Sequence, residues 1–400
     1  MERKQSIKRT DRKGRILRTG ESQRKDGRYV FKYQDKNGSP QFLYSWKLEE
    51  HDRAPAGKRP CEALRAKEAD VLRDKVDGID TAGKKMTVCQ LYAKQNALKP
   101  NVKKQTAANR ENLMAILEAD VLGHMGIDSV KPSHAKEWAI RMKESYSYQT
   151  IQNAKRSLKA CFYTAMEDDL IRRNPFNWKL ADVIPNDTRP KAALTPGQGK
   201  ALLEFVKADT TYQKHYNAIV ILLNTGLRIS ELCGLTVKDI DFENGFIHVG
   251  HQLVKDKDGY YIDTLKTESS VRKIPMTEEA RNALARQVET LGNAPETAEV
   301  DGCSSFLFLL EKGMPMYGNR YNTIFTAIIK KYNKCHKGSE LPNVTPHTCR
   351  HTFCTNMANK GMPPKVLQYI MGHKNVTMTL GYYAHGSSES AKEEMNRLAS

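Results

Sequence analysis

The apolar residues of this chain change their period along its length, and that change limits the fold more than any other feature. In "RYVFKYQ", residues 28–34, Tyr29, Phe31 and Tyr33 alternate onto one face, the two-residue period of a strand. "DKNG" then gives a turn at Gly38, and "QFLYSWKL" a second strand. "GRILRT" supplies a strand ahead of them. "CEALRAKEADVLRDKV" follows with Leu64, Val71, Leu72 and Val76 at helical spacing. From about Met86 to Phe176 the period becomes three and four, in "TVCQLYAKQNA", "TAANRENLMAILEADVL", "KPSHAKEWAIRMKE" and "SYQTIQNAKRSLKACFYTAMEDDL", with Lys and Arg on the other faces. Thr87 is the expected N-cap of the first of four or five helices. A chain of 400 residues with two such patterns needs more than one core.

Residues 183–192, "VIPNDTRPKA", read as a linker. "LTPGQGKALLEFVK" then opens a new unit, with Thr195 as cap, Pro196 in the first helical turn and Gln198 completing a capping box. More helices follow. "GFIHVG" and "GYYIDTLKTESSVRKIPM" interrupt them as strands, with a turn at Glu268–Ser270. The longest apolar run, "AIVILL" at 218–223, suits a buried helix and falls short of the ~18 residues of a membrane span. No apolar core follows the basic N-terminus, so no secretion signal is expected. Eight scattered cysteines without a CxxC pair suit reduced thiols.

Charge narrows the class of partner. Lys plus Arg is 64 against 46 Asp plus Glu, a formal net of +18, and residues 1–32 carry 12 cations against 4 acids, a local +8. Such an excess points to a polyanion, nucleic acid first. A three-stranded ribbon with basic and aromatic side chains suits a major groove, whereas the bland alternative is an α+β module whose aromatics are core. Two metal or phosphate motifs fall short. "GIDTAGKK", 78–85, matches GxxxxGK, but Lys85 stands where a phosphate loop needs a hydroxyl. "HTCRHTFC" offers His347, Cys349, His351 and Cys354, but on one helix Cys349 points away from the 347/351 face, which argues against zinc.

A distributed set is stronger. In "NTGLRISELCGL" Gly226 ends one helix and Arg228 starts the next, with Ile229 and Leu232 anchoring the turn. "TLKTESSVRKIP" puts Lys266 at a hairpin lip and Lys273 on the returning strand. "TPHTCRHTF" places His347 and Arg350 three apart at a helix start. "YIMGHKN" puts His373 at a turn, and Tyr382 and Tyr383 follow. Two arginines, a lysine, two histidines and a tyrosine, without a carboxylate pair, suit a phosphodiester: guanidiniums clamp its oxygens, lysine protonates a leaving oxygen, histidine handles a proton and tyrosine attacks.

In order and spacing, Arg228, Lys266, His347-x-x-Arg350, His373 and Tyr382 resemble the catalytic boxes of the tyrosine recombinase (phage integrase) family, firmly over residues 195–400. "YSWKL" and "KKMTVCQLYAKQNA" resemble the integrases of conjugative transposons within it. The resemblance implies a mainly α, multidomain chain. Residues 1–80 would form a small α+β arm-type DNA-binding domain with a three-stranded sheet, a helix and a basic tail. Residues 86–182 would form a helical core-binding domain. Residues 193–400 would form a mixed α/β, mostly helical catalytic domain with a small sheet. It also implies a site-specific DNA recombinase that integrates and excises a mobile element through a 3′-phosphotyrosine, without cofactor, metal or ATP.

Tyr382 would be the nucleophile, nine residues after His373, and Tyr383 its neighbour. Lys266 rather than Lys273 would be the general acid. His347 would handle protons, His373 would contact phosphate, and Glu231 would orient Arg228. Expected partners are double-stranded DNA at core-type and arm-type sites, three further copies in a tetramer, and an excisionase or DNA-bending protein, with no membrane, in the cytoplasm of a bacterium on its nucleoid. A tail helix through Ala391, Met395 and Leu398 would dock on a neighbouring subunit. Rival readings are a chromosome resolvase, a type IB topoisomerase and an architectural DNA-binding protein.

Overall fold

Alternation in "RYVFKYQ" does produce a strand, and its burial explains why. In a computed structural model, which describes residues 9–34, 38–76, 86–188, 193–264, 271–292, 298–383 and 395, the chain divides into two compact units, Met1–Arg189 and Pro190–Ser400. The first unit begins with an antiparallel sheet of β1 (Glu21–Gln23), β2 (Tyr29–Gln34) and β3 (Pro40–Ser45), in that order, with Phe31 opposite Glu21 and Leu43. Tyr29 and Phe31 pack with Leu48 and with Leu64 of helix α1 (Leu64–Val76). Val71 is also buried on α1, whereas Leu72 and Val76 are exposed. The strand expected in "GRILRT" is displaced to β1. Asp11 accepts hydrogen bonds from the N–H groups of Lys13 and Arg15 at 2.9 and 2.8 Å, which curls that segment into a turn and leaves Ile16 only an isolated bridge to Thr10.

Among the described residues five α-helices follow in the same unit: α2 (Val88–Ala97), α3 (Lys104–Glu118), α4 (Val121–His124), α5 (Pro132–Lys143) and α6 (Tyr148–Glu167). Thr87 caps α2 through a reciprocal box with Gln90, as its sequence predicts. These helices close on their own core, separate from that of the sheet, around Trp138, Phe162, Phe176 and Leu117. Not every cation lies outside: Lys155 on α6 is buried.

The second unit is built on α8 (Tyr216–Thr225), whose "AIVIL" run is wholly buried against α10 (Glu278–Leu291) and α12 (Pro346–Asn359). Thr195 forms the expected capping box with Gln198 at the start of α7 (Pro196–Ala208). The remaining α-helices among the described residues include α9 (Ile229–Gly234), α11 (Gly318–Cys335), α13 (Pro364–Met371) and α14 (Val376–Leu380). Strands β4 (Ile240–Asp241), β5 (Phe246–Val249) and β8 (Arg272–Pro275) form one antiparallel sheet, and β6 (His251–Asp256) and β7 (Gly259–Thr264) a separate hairpin.

That pairing corrects the expected hairpin. β8 returns to β5, not to β7, with Lys273 opposite His248. β7 pairs instead with β6, a strand the sequence reading passed over, because Asp258-Gly259, with Gly259 at φ +131, turns the chain tightly. The Glu268–Ser270 turn, Lys266, all of "GIDTAGKK" and the tail positions Ala391 and Leu398 lie outside the described residues. No helix among the described residues is long and apolar enough to cross a membrane.

Candidate active site

The site starts from one glycine. Gly226 ends α8 in the left-handed conformation, φ +64, and a Cβ there would lie 2.5 Å from Phe353 of α12 and 2.9 Å from the sulfur of Met371 of α13. Three helices therefore meet at a point that admits no side chain. Gly226→Ala is expected to destabilise the chain by roughly 2–5 kcal/mol, the sum of the left-handed penalty and overpacking. Denaturant unfolding at constant m-value checks this, and an unchanged midpoint would contradict it.

Arg228 follows as the residue that opens α9. Its N–H and Nη1 donate to the two oxygens of Glu231 at 2.8 and 2.7 Å. Glu231 has no exposed side-chain surface and is gripped from its other side by Arg272 of β8, at 3.1 and 2.9 Å. Burial pushes the Glu231 carboxyl up, but the hydrogen bonds and charge of Arg272, with Arg228, hold it at about 2. Arg272 was not singled out in the sequence. Its signal is the alternation of "RKIP", which sets Arg272 on the same buried face as Ile274 and turns Lys273 to the opposite, exposed face.

The C-terminus of α13 organises the guanidiniums. Its last carbonyls are taken one each: Ile370 by Arg272 Nε at 2.6 Å, Met371 by Arg350 Nη2 at 2.5 Å, and Gly372 by Arg228 Nη2 at 2.9 Å. Helix carbonyl ends attract cations, and these lack partners within their own helix. Gly372, at φ +59, leaves room for the two guanidiniums, since a Cβ would stand 3.1 Å from Arg272 Nη1. Arg350 is nearly wholly buried and also donates to the Gly226 carbonyl at 2.6 Å. Burial, with the charge of Arg228 next, lowers its pKa to about 9, which leaves it charged at neutral pH.

His373 follows Gly372 directly. Its Nδ1 meets Thr379 Oγ1 at 2.9 Å, so proton or phosphate chemistry falls to Nε2. Burial, then the charges of Arg350, Arg228 and Arg272, lower it to about 4, and the ring is neutral near pH 7. Among the described residues, three guanidiniums against the one Glu231 carboxylate therefore leave an excess of two positive charges at this spot.

The tyrosine pair separates by hydrogen bonding. The Tyr383 hydroxyl donates to the Met362 carbonyl. The Tyr382 ring lies nearly parallel to that of His373, centroids 6.5 Å apart, and against His351 at 4.9 Å. Tyr382 is half-buried against the core rather than loosely held, and burial raises its pKa. His351, considered in the sequence only as a metal ligand, is thus a neighbour of Tyr382. His347 is exposed on the first turn of α12, which Thr345 caps. Cys349 is fully buried on the core side with its thiol pushed up to about 12 by burial, which separates it from His347. The structure thus brings Arg228, Glu231, Arg350, His373 and Tyr382 together, with His347 on the same helix as Arg350.

Comparison with known proteins assigns the family. Residues 192–390 match the phage integrase family and residues 5–75 the DNA-binding domain of Tn916 integrase. Over 395 residues the chain is 57% identical to the transposase from transposon Tn916 of Enterococcus faecalis, covering 98% of this chain and 97% of the relative. The chain belongs to the phage integrase family. It is equally similar, at 57% over the same coverage, to the transposase from transposon Tn1545 of Streptococcus pneumoniae. Among solved structures it resembles the Tn1549 transposon integrase in complex with a circular intermediate DNA, at 57% identity and a TM-score of 0.75 over 78% of this chain and 99% of that one. A lambda integrase dimer bound to a core site shares the fold at 14% identity and a TM-score of 0.54, over 94% of this chain and 98% of that one. As a family member the chain is a site-specific recombinase that binds DNA.

Proposed function

We propose that this recombinase integrates and excises a mobile DNA element, most simply a conjugative transposon, by cutting and rejoining strands through a 3′-phosphotyrosine on Tyr382. The observation that carries the reading is the excess of two positive charges beside an aromatic hydroxyl. A buried cationic excess of that kind is stabilised by an incoming anion, and the scissile phosphodiester supplies one. Arg228 and Arg350 would hold its non-bridging oxygens as transition-state charge develops. The Tyr382 oxygen would attack phosphorus, the bond to the 5′ oxygen would break, and Lys266 would protonate that oxygen as it leaves. His373 would donate to the phosphate, and His347 would take part in proton handling. A 5′ hydroxyl of the partner strand then reverses the attack. The ester keeps the energy of the broken bond, so the proposed cycle consumes neither ATP nor a metal ion.

Chemical features of the other parts suit the same reading. The sheet of the first unit exposes Phe42 and Tyr44 under Lys32, Arg24 and Arg28, with Arg28 and Lys58 over Trp46, a basic and aromatic face suited to an arm-type site. We assign residues 1–80 to arm-type sites, 86–182 to core-type sites and 193–400 to catalysis. Strand exchange at two duplexes calls for four copies, with the tail helix docking on a neighbour, and excision for an excisionase or DNA-bending partner. The setting is the bacterial cytoplasm and its nucleoid. A nicked suicide duplex, followed by peptide mass mapping, tests nucleophile and polarity together. The expected product is the Tyr382 peptide joined to a 3′ end; a 5′-linked adduct, or none, would overturn the reading.

A further inference from the structure

Lys155 is the most anomalous cation of the helical part of the first unit. It lies on α6 with 6% of its surface exposed, and no carboxylate among the described residues accompanies it. Its Nζ sits 4.6 Å from the centre of the Trp178 ring and donates to the Trp178 carbonyl. Burying an ammonium without a counter-ion is costly, and burial together with the charge of Lys159 lowers its pKa. The surroundings add to the imbalance. A cleft of about 370 Å³ between α6 and residues 178–181 is lined by Lys155, Arg156, Lys159 and Lys179, with Tyr148 and Trp178 and, among the described residues, no acid.

The cleft is built rather than incidental. The Trp178 indole N–H is tied to the Pro175 carbonyl at 3.0 Å. Asn174, itself buried, donates to the Lys159 carbonyl at 2.8 Å and accepts from the Phe176 N–H at 2.9 Å. Phe176 and Leu180 anchor the same segment in the core. The wall opposite Lys155 is therefore held in place before any ligand arrives. Arg156 also lines a second concavity, of about 660 Å³, between α2, α3 and α6, where Gln95, Asn96, Asn109, Asn112 and Asn153 present amides. A cationic cleft beside an amide-rich surface has the composition of a backbone contact beside base edges, because phosphate contacts position a protein and base contacts specify its sequence.

We propose that the cleft between α6 and residues 178–181 is a phosphate-binding site that clamps one phosphodiester of the DNA backbone, with Lys155 as its buried anchor and Arg156, Lys159 and Lys179 as its rim. The proposal rests on the recombinase reading and assigns part of its DNA grip to named residues. The anion supplies the missing counter-charge, and the Trp178 ring fixes the direction from which the ammonium meets it.

The test uses the full chain and a fluorescein-labelled 30-base-pair duplex, titrated across potassium chloride concentrations. Each phosphate contact contributes about 0.9 to the slope of log affinity against log salt. Lys155→Met keeps an unbranched apolar side chain over Trp178 and removes the charge. The expected result is a slope shallower by about 0.9, so that the advantage of the parent chain shrinks about 3.5-fold between 50 and 200 mM salt. Parallel slopes in a folded Lys155→Met chain would mean that Lys155 holds no phosphate and would overturn the proposal. If Lys155→Met does not fold, the rim pair Lys159→Ala with Lys179→Ala must flatten the slope, and parallel lines there overturn it equally. Inorganic phosphate separates the sources: if it raises the thermal midpoint of the parent but not of Lys155→Met, while the DNA slopes stay parallel, the cleft holds a free anion and the DNA assignment fails. Loss of the whole recombinase reading would look different, as a parent chain that forms no covalent adduct.

Discussion

Tyr382→Phe is expected to bind a nicked duplex like the parent chain and to form no covalent adduct, while Tyr383→Phe still forms one. The two hydroxyls are adjacent in sequence but differ in their bonding. That of Tyr383 is spent on the Met362 carbonyl, and for the Tyr382 hydroxyl no hydrogen bond is found among the described residues. The Tyr382 ring is held between His351 and His373, beside the charge of Arg350. Burial raises its pKa, so the free phenol is a weak nucleophile at neutral pH. Attack then has to be coupled to loss of the phenolic proton in the presence of the phosphate. Tyr383→Phe loses one hydrogen bond and leaves the Met362 carbonyl unpaired, a cost of about 1–3 kcal/mol to stability rather than to chemistry. Denaturing gels with radiolabelled duplex read both outcomes. An adduct in Tyr382→Phe that disappears in Tyr383→Phe would reverse the assignment.

What the sequence showed, it showed where the physics is local. Thr87 and Thr195 cap the helices expected of them, because a cap depends on its next three residues. Gly226 stops α8, because only a glycine takes the left-handed turn cheaply. Arg228, Arg350, His373 and Tyr382 were legible as a set through their order along the chain. Two misses are local signals passed over, the Asp11 turn inside "GRILRT" and the Asp258-Gly259 turn that pairs "HQLVKD" with the next strand. The other two are long-range. Arg272 and Lys155 are cations in buried places, and a charged residue reads as surface until its partners are known. For Arg272 those partners, Glu231 and Ile370, lie 41 and 98 residues away. For Lys155 the partner is a tryptophan 23 residues on. No periodicity reports either.

Arg272 therefore carries the second large effect. Arg272→Ala is expected to destabilise the chain by about 3–5 kcal/mol, because it removes one side of a buried ion pair and leaves Glu231 under-compensated. It is also expected to slow covalent cleavage by at least ~10²-fold, the scale for losing one preorganised donor. The second effect does not follow from the first. Without Arg272, Glu231 has only Arg228 to answer it, and the Arg228 fork is drawn away from the position in which Gly372 now shares it. Stability and positioning separate in the double variant Arg272→Met with Glu231→Gln. Replacing both members of a buried ion pair by uncharged groups of similar size restores much of the stability. It does not restore the anchor of Arg228, so cleavage should stay slow while the thermal midpoint recovers. Single-turnover cleavage measured beside thermal unfolding decides between the two roles. If cleavage returns together with stability, Arg272 only holds the fold. If it stays low in a stable chain, the pair of Arg272 and Glu231 acts on the reaction through the aim of Arg228.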